Sequence, residues 1–214
     1  MKTRSWDKHY ASEKSELRYP DENLVRLLKK NMPFISDPAR KTAVDLGCGS
    51  GRHLGLLADF GFSGALGMDT SFNALMVSKQ HVSLSLVQAS IGNIPLKHDS
   101  IDIAVAWGSL HYNRKHELAA MLLEIRRVLR QGGHLFATLR SFRDTYLKRG
   151  EHLGNDTWIT NLRDISGSVV SFYGEDELKT EFSIFGEFEY GLIERTAMGD
   201  ITTLISHWVI HARK

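Results

Sequence analysis

The chain has 214 residues, 42% of them hydrophobic, which is enough for one globular domain with its own core. Its 27 basic and 25 acidic side chains leave a net charge of +2, and we expect no DNA partner because DNA-binding domains concentrate basic residues on one surface. The chain has a single cysteine, Cys48, and its apolar runs are far shorter than the ~20 residues of a membrane-spanning helix. We therefore expect a cytoplasmic protein without a membrane partner.

Five short apolar runs alternate with amphipathic stretches between residues 42 and 140. The apolar runs predict strands at residues 42–46, 64–68, 84–88, 101–107 and 134–139. Apolar spacings of three and four predict helices at residues 52–60, 71–81 and 115–129. Strands and helices that alternate in this way require a parallel sheet with helices on both faces, so the predicted fold class is α/β.

Two segments lie outside this alternation. Residues 1–33 combine a polar, aromatic-containing stretch with a helix predicted at 21–32, and we interpret them as an N-terminal cap segment and helix. Residues 140–172 are rich in Arg, Gly, Asn and Asp, which predicts an irregular loop or lid on the substrate side. The chain then closes with a helix at 175–182 and strands at 188–195 and 202–212. No linker or repeat interrupts it, so we expect a single domain over residues 1–214.

The sequence AVDLGCGSGRH, residues 43–53, places three glycines between the first predicted strand and the next helix. The dinucleotide fingerprint G-x-G-x-x-G fits in neither register, since its third glycine falls on Arg52 or Leu54, and this disfavours an NAD-dependent oxidoreductase. A phosphate-binding loop is excluded because the segment contains no lysine. Asp45 precedes Gly47 by two residues, where a carboxylate would repel a pyrophosphate but suits a ligand with an ammonium or sulfonium charge.

Two further side chains follow predicted strands, where ligands of parallel sheets bind. Asp69 comes 22 residues after Gly47, and a carboxylate there can bind both hydroxyls of a ribose or cap the following helix. His111 follows the fourth strand and is our candidate general base, with a structural or surface role as the open alternative. No spacing of His, Cys, Asp and Glu predicts a metal site.

The segment VDLGCGSG, residues 44–51, resembles the acid-x-G-x-G-x-G motif of class I S-adenosylmethionine (SAM)-dependent methyltransferases, in particular the small-molecule type called methyltransferase domain 11. The resemblance implies that Asp69 binds the ribose of SAM and that Thr70 packs against the adenine. Ser90 departs from the family, which has an adenine-binding aspartate at this place, and the Ile91 backbone lies beside it. The other implied cofactor contacts are Asp45, Gly47, Cys48, Gly49 and Gly51 around the methionine moiety, and Trp107 as a wall of the pocket.

The same resemblance implies a Rossmann-like three-layer sandwich. Its seven-stranded, mostly parallel sheet would have the order 3-2-1-4-5-7-6 with an antiparallel last strand. The implied activity is methyl transfer from SAM to an O, N or C atom of a small-molecule acceptor, with release of S-adenosylhomocysteine and without a metal. The alternatives are a non-catalytic SAM-binding regulatory or partner subunit and a methyltransferase that acts on RNA or protein. We expect a monomer or a homodimer.

Further candidates for the substrate side of the site lie near the ends of predicted strands. They are His207, Trp208 and His211 on the last strand and Arg140 and Arg143 after the fifth strand. The last two are predicted ligands of an acidic acceptor, since arginine pairs with carboxylates. The resemblance also implies that Arg18 and Tyr19, before the first helix, fold over the cofactor.

Overall fold

The computed structural model describes residues 2–11 and 17–214. Residues 1 and 12–16 of the predicted N-terminal cap segment lie outside this described part. The helices are α1 (Lys2–Tyr10), α2 (Glu22–Asn31), α3 (Arg52–Asp59), α4 (Phe72–His81), α5 (Leu118–Val128) and α6 (Glu175–Phe182). The strands are β1 (Ala43–Leu46), β2 (Leu66–Asp69), β3 (Ser85–Gln88), β4 (Ile101–Ala106), β5 (Leu129–Ser141), β6 (Gly150–Gly154), β7 (Thr157–Thr160), β8 (Val169–Tyr173), β9 (Glu187–Ala197) and β10 (Asp200–Arg213).

The main sheet has the predicted strand order. Its first five strands are parallel in the order β3-β2-β1-β4-β5. β10 pairs antiparallel with β5, and β9 pairs antiparallel with β10. With β9 and β10 as the sixth and seventh strands, the order is 3-2-1-4-5-7-6, which confirms the Rossmann-like fold. The carboxyl ends of the parallel strands therefore meet at one edge of the sheet, where ligands of such folds bind. The predicted count of seven strands is too low, because β8, β7 and β6 extend the sheet to ten strands among the residues that the structure describes.

Helices cover both faces of the sheet, as the near-continuous burial of β1 and β4 requires. One face packs on α2, α3 and α4 through Leu24, Leu28, Leu54, Leu57 and Leu75. The other face packs on α5 and α6 through Leu118, Leu122, Ile125, Leu178 and Phe182. No helix in the described part of the chain is long and apolar enough to cross a membrane.

The expectation that residues 140–172 are irregular is wrong, because this segment holds three strands. β6, β7 and β8 form an antiparallel set, and β8 joins the main sheet through short parallel pairing with β5. The turn between β6 and β7 consists of Asn155 and Asp156, both with φ of +46°. Two successive positive φ angles are typical of the tight hairpin turns that match strand twist, and Asn and Asp tolerate them. In the sequence these residues indicated an irregular loop, whereas in the structure they form the turn of a β-hairpin.

The helix predicted at 115–129 is also shorter than expected. It begins with a 3-10 turn at Lys115–Glu117 and continues as α5. β5 starts at Leu129, and its pairing with β4 shifts register before His134. Gly132 and Gly133, between Leu129 and His134, therefore lie within an irregular part of β5 and not in a loop after the helix.

The carboxylate of Asp102 joins the beginnings of three strands. Its Oδ2 accepts hydrogen bonds from the Thr42 amide, at 2.9 Å, and from the Arg130 guanidinium. Its Oδ1 accepts a hydrogen bond from Lys41 Nζ at 3.2 Å. Asp102 lies in β4, whereas Thr42 directly precedes β1 and Arg130 lies near the start of β5. The same side chain therefore fixes the amino ends of β1, β4 and β5.

We expect Asp102→Asn to lower the free energy of unfolding by about 1–2 kcal/mol, because it removes the charge from a largely buried hydrogen-bonded group. The matched control is Asp37→Asn, whose ion pair with Arg40 is exposed on both sides and contributes about 0.5 kcal/mol or less. Urea denaturation followed by circular dichroism measures both variants. Equal losses in the two variants would contradict this role for Asp102.

Candidate functional site

The turn after β1 is held in a conformation that needs glycine. Gly47 has a φ of +79° and Gly49 a φ of +53°. A Cβ atom on Gly47 would lie 2.5 Å from Ser109 Cβ, and one on Gly49 would lie 2.2 Å from Tyr10 Oη. Ser109 and Tyr10 therefore pack directly against the backbone of this turn, which leaves no room for a side chain at Gly47 or Gly49.

Two cavities meet over this turn. The first, called the β10 cavity, has a volume of about 510 Å³ and lies over the ends of β4, β5 and β10. The second, called the β2 cavity, has a volume of about 470 Å³ and lies over the ends of β2 and β3. Both are lined by Trp6, Tyr10, Gly47, Gly108 and Tyr112. A ligand that extends over the glycine turn can therefore occupy both.

Most of the predicted cofactor contacts line one or both of these cavities. The β10 cavity is lined by Gly47, Cys48, Gly49 and Trp107, and the β2 cavity by Gly47, Asp69, Thr70, Ser90 and Ile91. Gly51 lines neither cavity and lies against the Ser78 side chain of α4. Asp45 is fully buried below the turn.

The carboxylate of Asp69 fixes the glycine turn to the start of α4. Oδ2 accepts a hydrogen bond from the Gly49 amide at 3.0 Å, and Oδ1 accepts one from the Ser71 amide at 2.8 Å. The helix cap itself is Ser71, whose Oγ accepts from the Ala74 amide. Burial raises the pKa of Asp69, while these amides oppose the shift. Asp69 thus lines the β2 cavity as a rigidly oriented carboxyl group.

Both carboxylate oxygens of Asp45 lack a hydrogen-bond partner among the described residues. Complete burial raises the pKa of Asp45 to about 7, an effect that Arg52 opposes and Asp69 increases. A buried carboxyl group without a partner is costly, and a nearby cation would reduce that cost. The turn therefore fits a ligand with a positive charge, such as an ammonium or a sulfonium group.

Helix α1 lies over the junction of the two cavities. Trp6 contacts Tyr112 edge to face, with the ring centroids 4.8 Å apart. Tyr10 projects toward Gly49, and burial and the neighbouring Asp69 raise the pKa of its hydroxyl group. These two aromatic side chains form the roof of the site.

Arg18 and Tyr19 were expected to fold over the cofactor, and this expectation is wrong. Neither residue lines a cavity, and Tyr19 is 85% exposed. The backbone carbonyl of Tyr19 accepts a hydrogen bond from Arg52, and Leu17 lines the β10 cavity in its place. The N-terminal segment does cover the site, but it does so through α1.

Alternating residues of three antiparallel strands form the floor of the β10 cavity. Arg140 on β5 pairs with His207 on β10, which pairs with Ile193 on β9. Because side chains two residues apart share a face of a strand, Thr138 and Arg195 lie on the same side of the sheet. All five residues line the β10 cavity.

His111 and His207 lie side by side at this floor, with ring centroids 6.0 Å apart. His111 is buried, and its Nδ1 lies 3.4 Å from the Thr138 carbonyl oxygen. Burial and the neighbouring Arg140 hold the pKa of His111 well below its usual value and lower that of His207 to about 3. Both rings are therefore neutral near pH 7. A base works best with a pKa near the working pH, so His111 is a weak one.

Two other candidates on β10 do not reach the site. Trp208 lies on the opposite face of the sheet, where its Nε1 donates a hydrogen bond to the Tyr173 carbonyl at 2.8 Å. His211 lies on the same face as His207, but it packs on Phe136 and contacts His134 Nδ1 at 2.9 Å. Strand alternation separates Trp208 from the site, and distance along the strand separates His211.

Of the two predicted arginine ligands, only Arg140 lines the β10 cavity. Arg143 lies beyond the end of β5 and forms an exposed ion pair with Glu194 at 2.7 Å. No group of three or more His, Cys, Asp or Glu side chains that could hold a metal occurs in the described part of the chain.

Residues 44–137 match the model of a methyltransferase domain family. The matched segment contains the glycine turn, Asp69, Ser90 and His111. It ends within β5, so the strands β9 and β10 that complete the floor of the β10 cavity lie outside it.

Relatives in other organisms support this match. An uncharacterized protein of Methanocaldococcus jannaschii is 26% identical over 195 residues, which cover 88% of this chain and 70% of that protein. A tRNA (carboxymethyluridine(34)-5-O)-methyltransferase of Saccharomyces cerevisiae is 25% identical over 142 residues, or 65% of this chain. The chain spans 48% of the length of that yeast enzyme.

The fold also occurs in solved structures. A SAM-dependent methyltransferase of Methanosarcina mazei superposes with a TM-score of 0.65 at 18% sequence identity. The superposition covers 85% of this chain and 95% of that structure. The likeness extends over nearly the whole of that structure, so the two proteins share their architecture.

Proposed function

We propose that the chain is a class I SAM-dependent methyltransferase and that it transfers the methyl group of SAM to a small-molecule acceptor held in the β10 cavity. SAM supplies a methyl group that its sulfonium centre already activates for displacement. The protein must therefore bind both molecules in line and exclude water from the reacting atoms. A volume of about 510 Å³ is suited to a small molecule.

The observation that supports this proposal most strongly is the meeting of the two cavities over Gly47. In the proposed arrangement, Asp69 binds the ribose in the β2 cavity, and Asp45 lies below the cationic part of the cofactor. The remaining proposed cofactor contacts are Thr70, Ser90 and Ile91 at the adenine, Gly47, Cys48 and Gly49 at the methionine moiety, and Trp107 at the wall. Gly51 lies against Ser78 and is not among them.

We propose His111 as the residue that contacts the acceptor next to the transferred methyl group. It follows β4, lines the β10 cavity and lies beside Tyr112 at the junction of the two cavities. Its low pKa favours a contact without proton transfer. The role of general base stays a prediction.

A non-catalytic subunit would have a closed acceptor side, and the volume of the β10 cavity argues against that alternative.

A nucleotide of tRNA is the second candidate acceptor. The yeast relative, whose name describes methylation of carboxymethyluridine in tRNA at an oxygen, favours it. The chain carries a net charge of only +2, which favours the small molecule over an RNA. Incubation with radiolabelled SAM and either total tRNA or a small-molecule panel separates the two candidates.

Asp69→Ala tests the cofactor site. We expect the wild-type protein to bind SAM and S-adenosylhomocysteine with micromolar affinity and to bind no NADH. The variant should bind both about 30-fold more weakly, because it loses hydrogen bonds to a charged group worth ~2 kcal/mol. Calorimetric titration measures the affinities, and thermal melting confirms that the variant is folded. The matched control is Asp59→Ala at the exposed end of α3, which should bind as the wild type does. Failure of the folded wild-type protein to bind SAM would refute the proposed function.

The raised pKa of Asp45 predicts that SAM binding depends on pH. Only the ionised carboxylate attracts a cation, and this form becomes dominant as the pH rises through about 7. We therefore expect the affinity for SAM to increase roughly tenfold between pH 5.5 and pH 7. Calorimetry over this range should show uptake of the cofactor with release of a proton. Asp45→Asn should remove the dependence, and an unchanged pH profile in that variant would contradict the assignment.

The low pKa of His111 predicts a small effect of His111→Gln. We expect kcat at saturating SAM to fall by less than about tenfold and to stay constant between pH 6 and pH 8, because the wild-type ring is already neutral there. Initial rates with an acceptor from the panel measure both quantities. A loss of about 100-fold or more would instead support the role of general base.

A further inference from the structure

The guanidinium group of Arg140 has an unpartnered donor at the β10 cavity. Arg140 is only 8% exposed, and its Nε has no hydrogen-bond partner among the described residues. Buried polar atoms without partners are rare in folded proteins, and those that line a cavity point to a ligand. An arginine donor calls for an acceptor atom, most favourably one that carries negative charge.

Arg140 is held rigidly by a carboxylate behind it. Its Nη1 donates to Asp144 Oδ2 at 2.6 Å. Asp144 is completely buried and also accepts hydrogen bonds from the Leu147 and Ser206 amides at 3.0 Å. The partner therefore occupies the Nη1 side of the guanidinium, whereas the buried Nε has no hydrogen-bond partner among the described residues. A planar carboxylate fits one edge of a guanidinium with two parallel hydrogen bonds.

The charges around the β10 cavity favour an anion. Its lining includes three arginines, Arg52, Arg140 and Arg195, against one acidic residue, Asp21. Asp21 is the N-cap of α2, and its Oδ1 accepts hydrogen bonds from Asn23. The lining histidines add no negative charge. A carboxylate would therefore be attracted to the floor of this cavity at Arg140 and Arg195.

We propose that the acceptor is a small carboxylic acid, that Arg140 binds its carboxylate, and that the methyl group is transferred to a carboxylate oxygen. This inference rests on the proposed function of the same site. Arg195 attracts the anion from the rim, and His111 contacts it without taking a proton. The product is a methyl ester.

The proposed step balances without a base. A lone pair of the carboxylate oxygen forms the new O–C bond to the methyl group. The S–C bond breaks, and its electron pair returns to sulfur, which turns the sulfonium into the neutral thioether of S-adenosylhomocysteine. One negative and one positive charge are consumed, and no proton moves. A carboxylate is already ionised near pH 7, so the reaction does not need a strongly basic histidine at this site.

The test is a methyl-transfer assay with wild-type enzyme and SAM labelled in its methyl group. The probes are matched pairs of aliphatic and aromatic carboxylic acids and their amides, with total tRNA as a separate arm. Mild alkali hydrolyses methyl esters and releases labelled methanol, which is collected by vapour diffusion. We expect alkali-labile product from acids, with kcat/KM at least about 100-fold lower for the matched amides.

Variants test the assignment of Arg140. Arg140→Met should lower kcat/KM for the acid about 100-fold or more and leave the affinity for S-adenosylhomocysteine within about twofold. Because this variant leaves Asp144 buried without its cation, its folding is checked by thermal melting. Arg195→Met changes an exposed residue and should lower kcat/KM about three- to tenfold without a loss of stability. The matched control is Arg143→Met, outside the cavity, which should match the wild type.

The outcomes separate this inference from the function on which it rests. Binding of SAM together with equal behaviour of acids and amides, or with an alkali-stable product, would overturn the carboxylate acceptor and leave the methyltransferase assignment intact. If alkali-labile label appeared on tRNA and on none of the carboxylic acids, the inference that the acceptor is a small molecule would be overturned. Failure to bind SAM would overturn the proposed function itself.

Discussion

The carboxylate of Asp45 lies below the glycine turn with no hydrogen-bond partner among the described residues. Burial raises its pKa in the folded protein to about 7, well above the ordinary pKa of an aspartate, so the folded state holds its proton more tightly than the unfolded chain does. This group therefore lowers stability as the pH rises from about 4 to about 7. The chain tolerates that cost below Gly47, which lines both cavities. A cation bound above the turn would stabilise the ionised form, which links the stability of the fold to occupation of the site.

Much of the fold can be predicted from the sequence because its parallel strands are buried on both faces. β1 and β4 are continuous apolar runs apart from their aspartates, and each adjoins a glycine turn or an amphipathic helix. The segment from 140 to 172 was misread for a physical reason. Its strands are short, and the hairpin between β6 and β7 depends on two positive φ angles at Asn155 and Asp156. A composition rich in Asn, Asp and Gly fits both an open loop and a tight turn.

The glycine turn of the candidate site could be predicted because one contiguous motif, residues 44–51, encodes it. The acceptor side was only partly readable. Arg140 and His207 were candidates, but Arg195 and Ile193 were missed, because their place depends on the register between β5, β10 and β9. Once that register places Ile193 opposite His207, the alternation of side chains along β9 places Arg195 on the same face as Ile193. The contact of Tyr10 with Gly49 joins α1 to a turn far along the chain, and no local pattern encodes it.

The two sides of the site carry opposite charge. Asp69 lines the β2 cavity and Asp45 is buried below the glycine turn, whereas Arg140 and Arg195 line the β10 cavity. Such a field would draw a sulfonium to one side and a carboxylate to the other, which by itself strengthens binding of the reactants and not catalysis. In the proposed reaction, however, the two charges disappear as the methyl group moves. Neutral products lose the attraction that held both reactants, so the same electrostatic arrangement that favours binding also favours release.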